Sequence, residues 1–143
     1  SSRAPGSPDV AARTGAMATA LGVAGREKAF AKSLAESLVR LNARMRHAHA
    51  MSSIGMIFGF SGIKQGSPRN HSKVLKAWSP YLELSRLPHG GAAFFGGKRN
   101  IGGDQYLGLS SIGNATTGLV LASADNRLFM HGGTRKGWFG TGN

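Results

Sequence analysis

Glycine places the tightest limit on what this chain can fold into. Twenty-two of its 143 residues are glycine and five more are proline. Glycine loses more backbone freedom on folding than any other residue and brings no side chain to a core. The length suffices for one domain of ordinary size. With this composition, however, the expectation is a small core with extended segments held in place by a partner.

One segment departs from that pattern. From about Arg26 to Ala50, Phe30, Leu34, Leu38, Leu41 and Met45 recur at spacings of four and three, with Ala31, Ala35 and Ala48 beside them. This is the apolar stripe of an amphipathic helix and its expected packing face. The other faces carry Arg26, Lys28, Lys32, Arg40, Arg44 and Arg46 against Glu27 and Glu36. The cations gather toward the C-terminal end, where they suit the helix dipole and can meet an acidic partner.

The flanking segments read differently. Residues 1–25 hold Arg3 and Arg13, with Asp9 the lone acid among Ala, Ser, Gly and Pro, the composition of an extended basic arm or a transit-peptide remnant. No fold of its own is expected there. Residues 51–104 read as Gly/Pro-punctuated basic loops, with Gly55, Gly59, Gly62 and Gly66 leading to the turn signal Gly66-Ser67-Pro68. A short helix is expected around His71 to Trp78, stopped by Ser79-Pro80.

Residues 105–143 read as β. Leu119 to Ser123 and Arg127 to His131 flank the turn pair Asp125-Asn126 as a hairpin, and Gln105 to Ile112 offers a third strand. A basic Gly/aromatic tail follows from Gly132. The fold class expected is therefore a small α+β one: a long amphipathic helix, a short helix, a C-terminal β-hairpin or three-stranded sheet, and extended Gly-rich segments.

Charge narrows the function. Eighteen Lys and Arg stand against six Asp and Glu, a formal net charge of +12. That excess repels itself in an isolated compact state and is relieved by a polyanion or an acidic surface. The lack of cysteine excludes a disulfide framework, thiolate metal sites and a cysteine nucleophile, and suits an intracellular or organellar setting. No window reads as a membrane span: Gln105 to Ala124 is uncharged but interrupted by Gly, Ser, Thr and Asn. Ala48 to Ile63 is more apolar, yet short and broken by three glycines, and suits a buried or interfacial segment.

Catalysis needs groups tuned by neighbours and held in fixed geometry, and few candidates exist. Glu27 and Glu36 sit among cations, while Asp104 and Asp125 lie in expected turns. His47, His49, His71, His89 and His131 show no metal-ligand spacing. No GxSxG is present, and Gly96-Gly97-Lys98-Arg99 lacks the spacing of a phosphate-cradling loop. The expectation is a non-catalytic chain with no metal, no cofactor and no small-molecule substrate.

What stands out is cations interleaved with aromatics. Lys64, Arg69, His71, Lys73 and Lys76 lead to Trp78; Phe94 and Phe95 precede Lys98 and Arg99; Arg135 and Lys136 precede Trp138 and Phe139. Cations neutralise phosphates, and planar rings stack on unpaired bases or anchor loops on protein neighbours. The string GGKRNIGGDQYLGL from Gly96, followed by a glycine-bounded segment ending in LFMHGG, is similar to a large-subunit ribosomal protein family in which a Gly-rich basic tail leads into a small β-barrel. The basic residues of that family's hairpin are missing here, and no residue role is taken from it.

The function expected is a non-catalytic structural subunit of a large organellar assembly, mitochondrial ahead of plastid: a ribosomal protein that binds rRNA and neighbouring proteins. The alternative is an accessory subunit of a respiratory or photosynthetic membrane complex. Dominance of Lys and Arg over acids favours the first, and a charged fraction of only 17% favours the second.

Overall fold

The computed structural model describes residues 10–50, 52–88, 90–94 and 110–124. They form five α-helices: α1 (Val10–Ala24), α2 (Lys28–Leu41), α3 (Ser52–Ile63), α4 (Pro68–Leu84) and α5 (Ser110–Ala124). A 3-10 stretch, Asn42–Ala50, continues α2 toward α3. Among the described residues there is no strand or sheet, and the lone β-type pairing is a bridge between Arg86 and Ala92. The α+β expectation is overturned; the fold is helical.

α3 is the centre. It has no charged residue, and Ser52, Ser53, Gly55, Met56, Gly59, Phe60, Gly62 and Ile63 are buried, about half of its circumference at 100° per residue, while Phe58 on the other side is 40% exposed. Every other element packs on it, while α1 meets α2, α2 meets α4, and α4 meets α5 around its outside. The glycines that suggested loops are the contact surface. A methyl added to Gly62 would lie 2.6 Å from both Gly15 Cα and Leu38 Cδ1, and one added to Gly15 would run into the Phe58 carbonyl. Gly59 likewise leaves the space that the Met45 thioether fills. Bare backbone lets α1 and α3 approach closely, and the dispersion contacts so gained offset part of the entropy that glycine forfeits.

The segment expected as an arm thus contains α1, whose buried residues are all small: Ala11, Ala12, Gly15, Ala18 and Thr19. Gly25, at φ 66°, ends it. Gly25 N–H donates to Gly22 O and Arg26 N–H to Leu21 O, the paired bonds of a left-handed helix stop.

The amphipathic helix is present but turned from its expected orientation. α2 buries Ala31, Ala35 and Leu38, whereas Phe30 is 48% exposed and Leu34 and Leu41 are half-buried. Facing small-residue neighbours, α2 presents its alanine edge because that edge permits the closest approach. After Leu41 the 3-10 period of three keeps Asn42 and Met45 on one edge. The Trp78 indole N–H donates to Asn42 Oδ1 at 3.1 Å, and Met45 is fully buried.

α4 does not stop at Ser79-Pro80. Pro80 lies inside the helix, where it deprives the Lys76 carbonyl of its usual donor. The Ser79 hydroxyl supplies a substitute, 2.8 Å from that oxygen, and the helix runs on to Leu84. The expected strand Leu119 to Ser123 is the second half of α5. Gly113, Thr116, Val120 and Ser123 are buried, a spacing of three and four that only a helix puts on one side. The proposed strand partner Arg127 to His131, and Gln105 to Leu109 of the third strand, lie outside the described residues.

Candidate functional site

α4 sorts its side chains cleanly. Ser67 is extended and Pro68 opens the helix with its φ already suited to the first turn. His71, Val74, Trp78 and Leu82 are buried, spaced three and four apart toward α3. At 100° per residue, Arg69, Lys73 and Lys76 fall on the opposite side, and all three are exposed. No acidic residue stands in the first turn; Glu83 comes two turns after Lys76 and is 3.2 Å from Arg86. The result is a one-sided cationic stripe about 10 Å long on a helix fixed from behind by an aromatic cluster.

That cluster explains the rigidity of the stripe. Phe60 meets Trp78 edge-on at 5.9 Å, Trp78 meets Tyr81 edge-on at 5.4 Å, and Tyr81 stacks on Phe94 at 5.9 Å. Trp78 and Phe94 are both buried. They anchor α4 and the loop after it rather than offering faces to bases. The Arg46 guanidinium lies 4.8 Å over the Tyr81 ring, a cation–π contact that brings a further cation beside α4. The sequence groups Arg46 with the cations at the basic end of the Arg26–Ala50 segment, and the structure places it in the 3-10 stretch.

Lys64 is also a cation used from within. Its ammonium donates to the Ser123 carbonyl at 2.5 Å, at the C-terminal end of α5, where backbone carbonyls lack helical partners. The Ser123 hydroxyl donates to Val120 O at 2.6 Å. His71 Nε2–H completes the group by donating to Ser123 Oγ, 2.9 Å away. Burial, and then the nearby Lys64 charge, lower the His71 pKa from its ordinary 6.5. His71 is therefore neutral near pH 7 and adds no charge to the stripe. Its spacing from Val74 and Trp78 was the available signal that it faces inward.

Of the remaining candidates, Phe95, Lys98, Arg99, Arg135, Lys136, Trp138 and Phe139 lie outside the described residues. Among the described residues no group of three or more His, Asp or Glu is placed to hold a metal ion, and no helix is long and apolar enough to cross a membrane. Set against known proteins, the chain matches no family model, no curated protein and no solved structure.

Proposed function

We propose that this protein is a non-catalytic structural subunit that binds a polyanion, and that the polyanion is ribosomal RNA in an organelle, the mitochondrion ahead of the plastid. The observation that carries the reading is the stripe of Arg69, Lys73 and Lys76, exposed on one side of α4 and fixed by the buried side. Three cations on a rigid support can neutralise about three phosphates and release their counterions. An excess of +12 supplies the long-range attraction that brings such a chain to RNA. Neighbouring proteins would meet its apolar edges, among them exposed Phe30, Met17 and Leu84.

A second reading, an accessory subunit of a respiratory or photosynthetic membrane complex, is favoured by one observation. α1 and α3 pack through Gly15 and Gly62, and small-residue contacts of this kind are typical of helices that associate in lipid. Sedimentation of the native protein on a sucrose gradient separates the two. Co-migration with ribosomal subunits, abolished by ribonuclease, is the expected result. Ribonuclease-resistant migration with a detergent-solubilised complex would reject the rRNA reading in favour of the second.

A further inference from the structure

We infer that the α4 stripe takes double-stranded RNA, held by its phosphates and ribose hydroxyls with no base read, so that the RNA it meets is a helical stem and not a loop. The inference rests on the rRNA reading and narrows it to one form of that ligand.

The two forms of RNA ask different things of a protein. An unpaired strand exposes base faces, and proteins that hold one cover those faces with aromatic rings or guanidinium planes. A duplex hides its base faces in the stack, and the deep, narrow major groove of RNA keeps side chains from the base edges there, which leaves phosphates and 2′-hydroxyls to be bound. α4 meets only the second demand. Its rings are turned inward or engaged: His71 and Trp78 are buried, Trp78 stands edge-on to Phe60 and Tyr81, and half-buried Tyr81 stacks on Phe94 and carries the Arg46 guanidinium over its ring. The two exposed aromatic rings among the described residues, Phe30 and Phe58, belong to other sides of the molecule. Phe60 is the α3 residue that meets Trp78, and Phe58 falls about 200° around α3 from it. Ala35 is the α2 residue beside Gly66, just before α4, and Phe30 falls about 140° around α2 from that side.

What α4 does present fits a duplex backbone. Arg69, Ser72, Lys73 and Lys76 are all exposed and share an arc of about 100°. The three cations suit phosphates, and the Ser72 hydroxyl, donor and acceptor at once, suits a ribose 2′-hydroxyl. The one acid of α4, Glu83, comes about 10 Å beyond Lys76 and is 3.2 Å from Arg86. Glu36, exposed on α2, has Lys32 and Arg40 one turn before and after it. The buried side of α4 fixes this array, and base pairing fixes the phosphates of a duplex. Docking the two orders little on either side, whereas a single strand would have to be ordered with no stacking to offset the entropy.

The test is fluorescence anisotropy with the full chain and four probes: an RNA duplex of about 20 base pairs, a second RNA duplex of the same composition in scrambled order, one RNA strand that forms no hairpin, and a DNA duplex. The two RNA duplexes should bind equally and about tenfold more tightly than the single strand. Replacing Arg69, Lys73 and Lys76 together with Gln should remove that advantage, and Ser72→Ala should cut the preference for RNA over the DNA duplex about two- to tenfold. The inference is overturned, with the rRNA reading left in place, if the single strand binds as tightly as the duplexes, if the scrambled duplex binds differently, if the advantage survives the triple replacement, or if Ser72→Ala leaves the RNA preference unchanged. Binding to none of the RNA probes rejects both.

Discussion

His71 occupies a place that suits only its neutral form. The residue is 2% exposed, its ring meets the edge of Phe60 at 6.0 Å, and the Lys64 ammonium stands on the same serine. Burial first and Lys64 second lower its pKa below 6.5. In the unfolded chain the imidazole takes up a proton at its ordinary pKa, so below about 6.5 the unfolded state binds more protons than the folded one. The stabilising effect of neutral His71 is thus complete above that pH and is lost as pH falls through the folded value. Thermal melts should show the midpoint falling between pH 7.5 and 5, with a smaller fall in His71→Gln; equal falls in both proteins would assign the acid sensitivity to other groups. Glycine makes the second residue-scale prediction. Gly62→Ala puts a methyl 2.6 Å from Gly15 Cα, backbone that cannot step aside, and should cost roughly 1–3 kcal/mol by overpacking. Gly118→Ala, in the same chain and also helical, meets nothing within 4 Å and should gain about 0.5–1 kcal/mol from helix propensity. Denaturant midpoints of the two variants shifting in the same direction would contradict the packing described here. The sequence shows both as glycine in an apolar run; only the position of the neighbouring helix separates them.

Among the elements, α5 is tied on by polar bonds at both ends. Lys64 and His71 both hold Ser123 near its end, and Asn114 fastens its beginning to the loop. Lys64→Met removes a charged donor from the helix terminus and should cost about 1.5–3 kcal/mol, read as faster hydrogen exchange in α5 than in α1 or α3. The same change removes one of the two influences that lower the His71 pKa, so the acid-induced loss of stability should shrink. Uniform acceleration across all helices would mean that α5 opens only with the whole fold. α5 also shows why so much of the architecture was hidden in the sequence. α2 was legible as a helix because Lys28, Lys32, Glu36 and Arg40 contrast with its apolar side. α1, α3 and α5 have almost no such contrast, with Arg13 the one charged residue among all three. A helix without a polar face gives no period to read, and a short apolar run such as Leu119 to Ala122 fits strand and helix alike. At Pro80 the sequence signal was correct in kind, but the Ser79 hydroxyl removes its consequence. The cationic spacing of Arg69, Lys73 and Lys76 could be read directly, whereas the inward turn of Lys64 depends on α5, a contact 59 residues away along the chain.

At the scale of the whole molecule, the fold separates apolar from cationic surface with little material. Small residues close α1 on α3, the bulky side chains Phe60, Trp78, Tyr81 and Phe94 gather behind α4, and the stripe stands on the far side of that cluster. A cation on such a support loses little entropy in meeting a phosphate, while the remaining positive charge acts at longer range and is screened by salt. The two contributions differ in how they respond to ionic strength. Each phosphate neutralised adds about 0.7 to the slope of log affinity against log salt for single strands and about 0.9 for duplexes. Replacing Arg69, Lys73 and Lys76 together with Gln should therefore reduce the slope by roughly two to three for binding to a fluorescent RNA oligonucleotide, measured by anisotropy over a series of salt concentrations. Their exposure means that far-ultraviolet circular dichroism should not change. A weaker affinity with an unaltered slope would make the stripe a source of general attraction only, with the phosphate contacts made elsewhere on the chain. An unaltered affinity and slope would leave α4 without a role in RNA binding and shift the weight to the membrane-complex reading.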